Sequence, residues 1–87
     1  MTFKEVREIM KKCKIPPTEY LIDEAMKPLA ETALCLDKKG GKFRYYVLER
    51  NVVCDERIYN TESEACKDFL TDMKRNFKSV REYFEKR

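Results

Sequence analysis

The stretch ETALCLDKKGGKFRYYVLERNVVCDERIY, Glu31 to Tyr59, decides the fold. It holds three runs of strand-favouring residues, ETALCLD, KFRYYVLER and VVCDERIY. Between the first two, Gly40 and Gly41 permit the positive φ that a tight hairpin demands. A second turn near Arg50 and Asn51 joins the second run to the third. The expected result is a three-stranded antiparallel meander. In its middle strand Phe43, Tyr45 and Val47 share one face and Tyr46 and Leu48 the other. Apolar side chains on both faces mean that neither side is a plain solvent face.

Helical signals flank this meander. Thr2 with Glu5 forms a capping box, and Phe3, Val6, Ile9, Met10 and Cys13 recur at three- and four-residue spacing until Pro16 and Pro17 end the helix. Leu21, Ile22, Ala25, Met26 and Leu29 repeat that spacing, so a second short helix is expected from about Thr18 to Lys27, stopped by Pro28. Downstream, Thr61 with Glu64 makes another capping box. The seam Cys66, Leu70, Met73, Phe77, Val80, Phe84 then predicts one long helix from Glu62 to Glu85, reaching past a narrow sheet at ~1.5 Å per residue. The chain reads as a single α+β domain over residues 1–87: N-terminal helices, the three-stranded meander and a long C-terminal helix.

The 87 residues suit one domain, and the 43% hydrophobic content is enough for a core despite 40% charged residues. No apolar run reaches the ~20 residues that cross a bilayer. MTFKEVREIMKKCK lacks the apolar centre and cleavage site of a signal peptide, so a cytoplasmic location without membrane attachment is expected. In that compartment Cys13, Cys35, Cys54 and Cys66 are expected as reduced thiols.

Little in the chain points to bond-making chemistry. There is no His, no C-x-x-C pair and only two Ser, so the usual general base, a nucleophilic triad and a common zinc ligand set are missing. Cys54 lies beside Asp55 and Glu56, which raise rather than lower a thiol pKa. DKKGGK lacks the spacing of a phosphate-cradling loop. The expectation is a protein that is not an enzyme, with no catalytic residue, metal or cofactor.

Charge patterning offers more. Residues 74–87 carry six basic and two acidic side chains, whereas the other 73 residues sum to −1. Glu64, Asp68 and Asp72 recur every four residues on one stripe of the last helix, near Asp55 and Glu56 of the preceding strand. Together these five form a candidate acidic surface for steering a basic partner protein, with Tyr46 as a candidate interface aromatic. The competing reading is a small nucleic-acid-binding accessory domain that uses the basic segment Lys74 to Arg87. Against it, four acids in NTESEACKDFLTD stand where a double-stranded-RNA-binding domain offers lysines to phosphate.

The segment GGKFRYYVLERNVVCDERIYNTESEACKDFLTDM, residues 40–73, resembles the small immunity proteins of bacterial polymorphic toxin systems, including those of contact-dependent growth inhibition. In these a meander of YY(V/I), ER and (E/D)(R/K)I(Y/F) character runs into a (D/N)(T/S)xxEAxxxFL helix. The resemblance implies a cytosolic protein that binds its cognate toxin's C-terminal domain, often a nuclease, and blocks its active site or its access to substrate or cofactor. It transfers no catalytic residue. Immunity proteins against nucleases are frequently acidic, and the net charge of +3 departs from that pattern. Whether the chain acts as monomer or homodimer stays open at this stage.

Overall fold

The computed structural model describes residues 1–86. Helix α1 (Phe3–Lys12) starts at the expected capping box: the Thr2 side chain accepts from the Glu5 N–H and the Glu5 carboxylate from the Thr2 N–H. Its periodic residues Phe3, Val6, Ile9 and Met10 are all buried. The hairpin of β2 (Thr32–Lys39) and β3 (Lys42–Glu49) turns at Gly40 and Gly41, both at positive φ. Strand β4 (Val52–Tyr59) follows after Arg50 and Asn51, also at positive φ. The antiparallel meander is therefore present as expected.

The sheet has a fourth strand. β1 (Tyr20–Ile22) pairs parallel to β2, with Leu21 opposite Cys35, and the sheet order is β1-β2-β3-β4. This overturns the expected helix from Thr18 to Lys27, of which only a single 3-10 turn at Pro17–Glu19 remains. A helix here would bury one stripe only. As a strand, Tyr20, Leu21 and Ile22 are buried on both faces of the sheet and satisfy the open backbone edge of β2. The expected helical partners Ala25 and Met26 are exposed.

The C-terminal helix is also broken. α2 (Glu62–Asn76) ends at Phe77, which takes an extended conformation, and α3 (Lys78–Glu85) begins after it. No proline or glycine causes the break. Instead the Arg81 guanidinium donates to the carbonyls of Lys74 (2.7 Å) and Arg75 (3.4 Å), satisfying the frayed end of α2. Folding back lets α3 bury Val80 completely and lay Phe77, Tyr83 and Phe84 against the core. A continuous helix would have carried Val80 past the sheet into water, forfeiting about 1.5–3 kcal/mol of burial. Residues 62–85 therefore do not overhang the sheet as one rod.

All three helices cover one sheet face. The main core joins α1, α2 and Val80 of α3 to Tyr20, Ile22, Leu34, Leu36 and Tyr45. A smaller cluster of Leu21, Ala33, Cys35, Tyr46 and Leu48 lies on the opposite face, with Leu29 of the β1–β2 connection packed against it. That face has no helix.

Candidate functional site

Strand β4 is one of the two edges of the sheet, and unlike β1 none of its residues is buried. Between Val47 and Leu48 the register shifts: Val47 stands opposite Asp55, but Leu48 opposite Val53, leaving Cys54 as the extra residue of a bulge. The bulge has a direct consequence for side-chain placement. Val53 and Ile58 are five apart, so simple alternation puts them on opposite faces. With one residue looped out, both stand opposite open-face residues, Leu48 and Arg44 respectively. They are 48% and 47% exposed, and Val52 beside them is 63% exposed. An uncovered edge strand with a two-residue apolar strip on the helix-free face results.

Between these apolar residues runs an ionic ladder. Arg44 donates to both oxygens of Asp37 (2.8 and 2.6 Å) and to Glu56 (2.8 Å), and Lys39 reaches Glu56 at 3.6 Å. The guanidinium lies 4.0 Å from the centre of the Tyr46 ring. Asp37, foremost, holds Arg44 above its ordinary pKa, and Arg44 in turn holds Glu56 below the usual carboxylate range. Tyr46, 7% exposed, belongs to the second core cluster, and burial pushes its phenol up to about 12.

The acidic residues singled out by sequence do not form one surface. Glu56 lies opposite Tyr46 on the open face, whereas Asp55 and Arg57 lie opposite the core-facing Val47 and Tyr45. Asp68 and Asp72 of α2 are joined to the sheet by tyrosines. The Tyr45 hydroxyl donates to Asp72 (2.6 Å) and the Tyr59 hydroxyl to Asp68. Arg75 pairs with Asp72 at 3.4 Å, and Arg57 with Asp55 at 3.4 Å and Asp68 at 3.6 Å. Asp68 and Asp72 therefore clamp α2 to the sheet and are already matched by cations. Burial, then the Asp68 carboxylate, pushes Tyr59 up to about 12, and burial with Asp72 raises Tyr45 further. Glu64 stays at the start of α2, where Thr61 Oγ1 accepts its N–H (3.2 Å) and its carboxylate accepts from the Thr61 hydroxyl (2.9 Å). The Thr61 half of the expected capping box is therefore formed, while the Glu64 carboxylate meets the Thr61 hydroxyl rather than its backbone N–H.

Arg44, Asp37, Val53 and Ile58 were not singled out by sequence reasoning. The approach of Arg44 to Asp37 was accessible from hairpin register, which sets the two opposite each other. The facing of Val53 was not, because nothing in VVCDERIY announces the bulge. Among the described residues no group of three or more Cys, Asp and Glu is arranged to hold a metal ion, and no helix is long and apolar enough to cross a membrane. The chain matches no protein-family model, no curated protein and no solved structure.

Proposed function

We propose that the protein is a binding module that neutralises a partner protein through β4 and the helix-free sheet face. The carrying observation is the exposure of β4 from Val52 to Ile58 together with the apolar pair Val53 and Ile58 beside the Asp37–Arg44–Glu56–Lys39 ladder. An open edge offers backbone donors and acceptors to an added strand, while the flanking side chains select which strand is admitted. Charges fixed by mutual pairing are already ordered, so a partner meets them without further loss of side-chain freedom. The resemblance of residues 40–73 to immunity proteins supports a toxin domain as that partner, with its active site or its approach to substrate blocked. Glu56 is the acidic residue of this surface, and Asp55 and Glu64 border the module on the helical side. Asp68 and Asp72 support the fold beneath the contact.

The test is co-expression with the toxin domain encoded in the neighbouring reading frame, followed by titration of the purified pair. Val53→Lys and Ile58→Lys should weaken the complex at least tenfold, and each should leave thermal stability within the ±0.5 kcal/mol usual for surface changes. Lys38→Glu, opposite Phe43 on the helix-covered face of the sheet, should change binding little. Unaltered affinity in both apolar variants would remove this surface from consideration.

A further inference from the structure

Helix α1 ends in a Schellman turn. The Lys14 N–H donates to the Lys11 carbonyl and the Ile15 N–H to the Met10 carbonyl, each at 3.0 Å, and Ile15 is buried in the main core. Lys14 stands at the position just past the cap with φ 58. That conformation favours glycine, since a Cβ there crowds the following carbonyl oxygen. The chain instead keeps a lysine in it. Backbone strain retained at one residue is a pointer to what its side chain does.

The surroundings give that side chain a destination. Lys12, Lys14 and Lys86 border one depression of about 340 Å³ between the end of α1 and α3, with Ser79, Tyr83 and Cys13 on its walls. None of the three lysines forms an ion pair among the described residues, whereas the aspartates 37, 55, 68 and 72 on the sheet and α2 are all matched by arginines. Glu82 shares the rim, so the lining carries a formal +2. Lys12 by itself is explained by the negative end of α1. Lys14, just past the cap of α1, and Lys86, the C-cap of α3, also meet negative helix ends, but the dipoles do not account for the convergence of all three on one depression from distant parts of the chain.

We propose that this depression binds phosphate groups, those of a nucleotide or of a nucleic-acid strand. A phosphate brings up to two negative charges and several acceptor oxygens, which suits three separate ammonium groups and the Ser79 hydroxyl better than a singly charged carboxylate does. The site lies on the helical layer and is independent of the docking surface on β4, so either can fail without the other.

Isotope-labelled protein titrated with sodium pyrophosphate should show saturable amide shifts at Lys12, Lys14, Ser79 and Lys86. A short fluorescein-labelled single-stranded DNA, followed by anisotropy across a salt series, supplies the second arm. Lys14→Gly is the decisive variant, because its two effects point in opposite directions. Removing the left-handed lysine should raise the melting temperature, while pyrophosphate binding should weaken about fivefold and the DNA salt slope should fall by about 1. Lys86→Gln should weaken binding similarly with no gain in stability, and Lys4→Gln, outside the depression, should change neither. Saturable pyrophosphate shifts without DNA binding identify a small phosphorylated anion; DNA binding lost in Lys14→Gly identifies a strand. No saturable response in either arm, equal loss in Lys4→Gln, or unchanged binding in Lys14→Gly would each overturn the proposal.

Discussion

The Tyr45–Asp72 contact decides whether the acidic stripe of α2 is free for a partner or occupied by the fold, and a double-mutant cycle separates the two. Tyr45 is 2% exposed, and its hydroxyl donates to the carboxylate 2.6 Å away. Asp72→Ala strands that hydroxyl, at a cost of about 1–3 kcal/mol. Tyr45→Phe deletes the hydroxyl and leaves Asp72, whose side chain is 30% exposed and paired with Arg75, to be solvated, at about 1 kcal/mol. The double variant has no stranded group, so it should lie at least ~0.5 kcal/mol above the sum of the singles. A domain of this length has a total stability of about 4–13 kcal/mol, and a urea slope of ~1–2 kcal/mol/M turns a 2 kcal/mol loss into a midpoint shift of about 1–2 M. Circular dichroism in urea resolves that readily. An Asp72→Ala midpoint indistinguishable from the parent, or strict additivity in the cycle, would show that Asp72 is a free surface acid and refute its role as a clamp.

The remaining expectations concern the helix break, alkaline pH, thiols and the cap. Arg81→Ala removes the donor to the Lys74 and Arg75 carbonyls and should cost about 1 kcal/mol, with faster amide exchange confined to the end of α2 and to α3. Tyr46 and Tyr59 are held near 12 in the fold against about 10 when unfolded. Their contribution is complete below pH ~10 and is lost as pH rises from ~10 towards 12, so tyrosinate absorbance from these residues should appear together with unfolding. Titration of all five tyrosines as one class near 10 with the fold intact would contradict this. Of four thiols only Cys54 is exposed, and the Glu49 carboxylate keeps its pKa raised, so one slow equivalent should react natively and four in denaturant. Thr2→Ala should cost about 1 kcal/mol by thermal melt, because it opens both halves of the capping box at α1.

Much of the architecture was legible because it is local. Thr2 and Glu5 mark the start of α1, Gly40–Gly41 the hairpin, and the spacing of Cys66, Leu70 and Met73 the buried face of α2. Each of these signals is contained within a few residues, where capping, φ preference and side-chain periodicity act directly. The errors fell where a distant partner changed the outcome. YLI has no strong strand signature, yet the unsatisfied edge of β2 recruits it. Phe77 carries no helix breaker, yet Arg81 and the burial of Val80 favour a bend there.

The candidate site follows the same division. Sequence by itself determined which residues are charged, which are apolar and, within short windows, which turn towards the core. Only the tertiary structure decided that Asp68 and Asp72 serve two tyrosines, that Glu56 belongs to the opposite face from Asp55, and that a bulge at Cys54 sets Val53 beside Ile58. The physical reason is the range of the interactions. A cap or a hairpin turn compares conformations of one short segment, whereas strand register, a helix break and the pairing of a carboxylate compare whole arrangements of segments that meet only after the chain has folded.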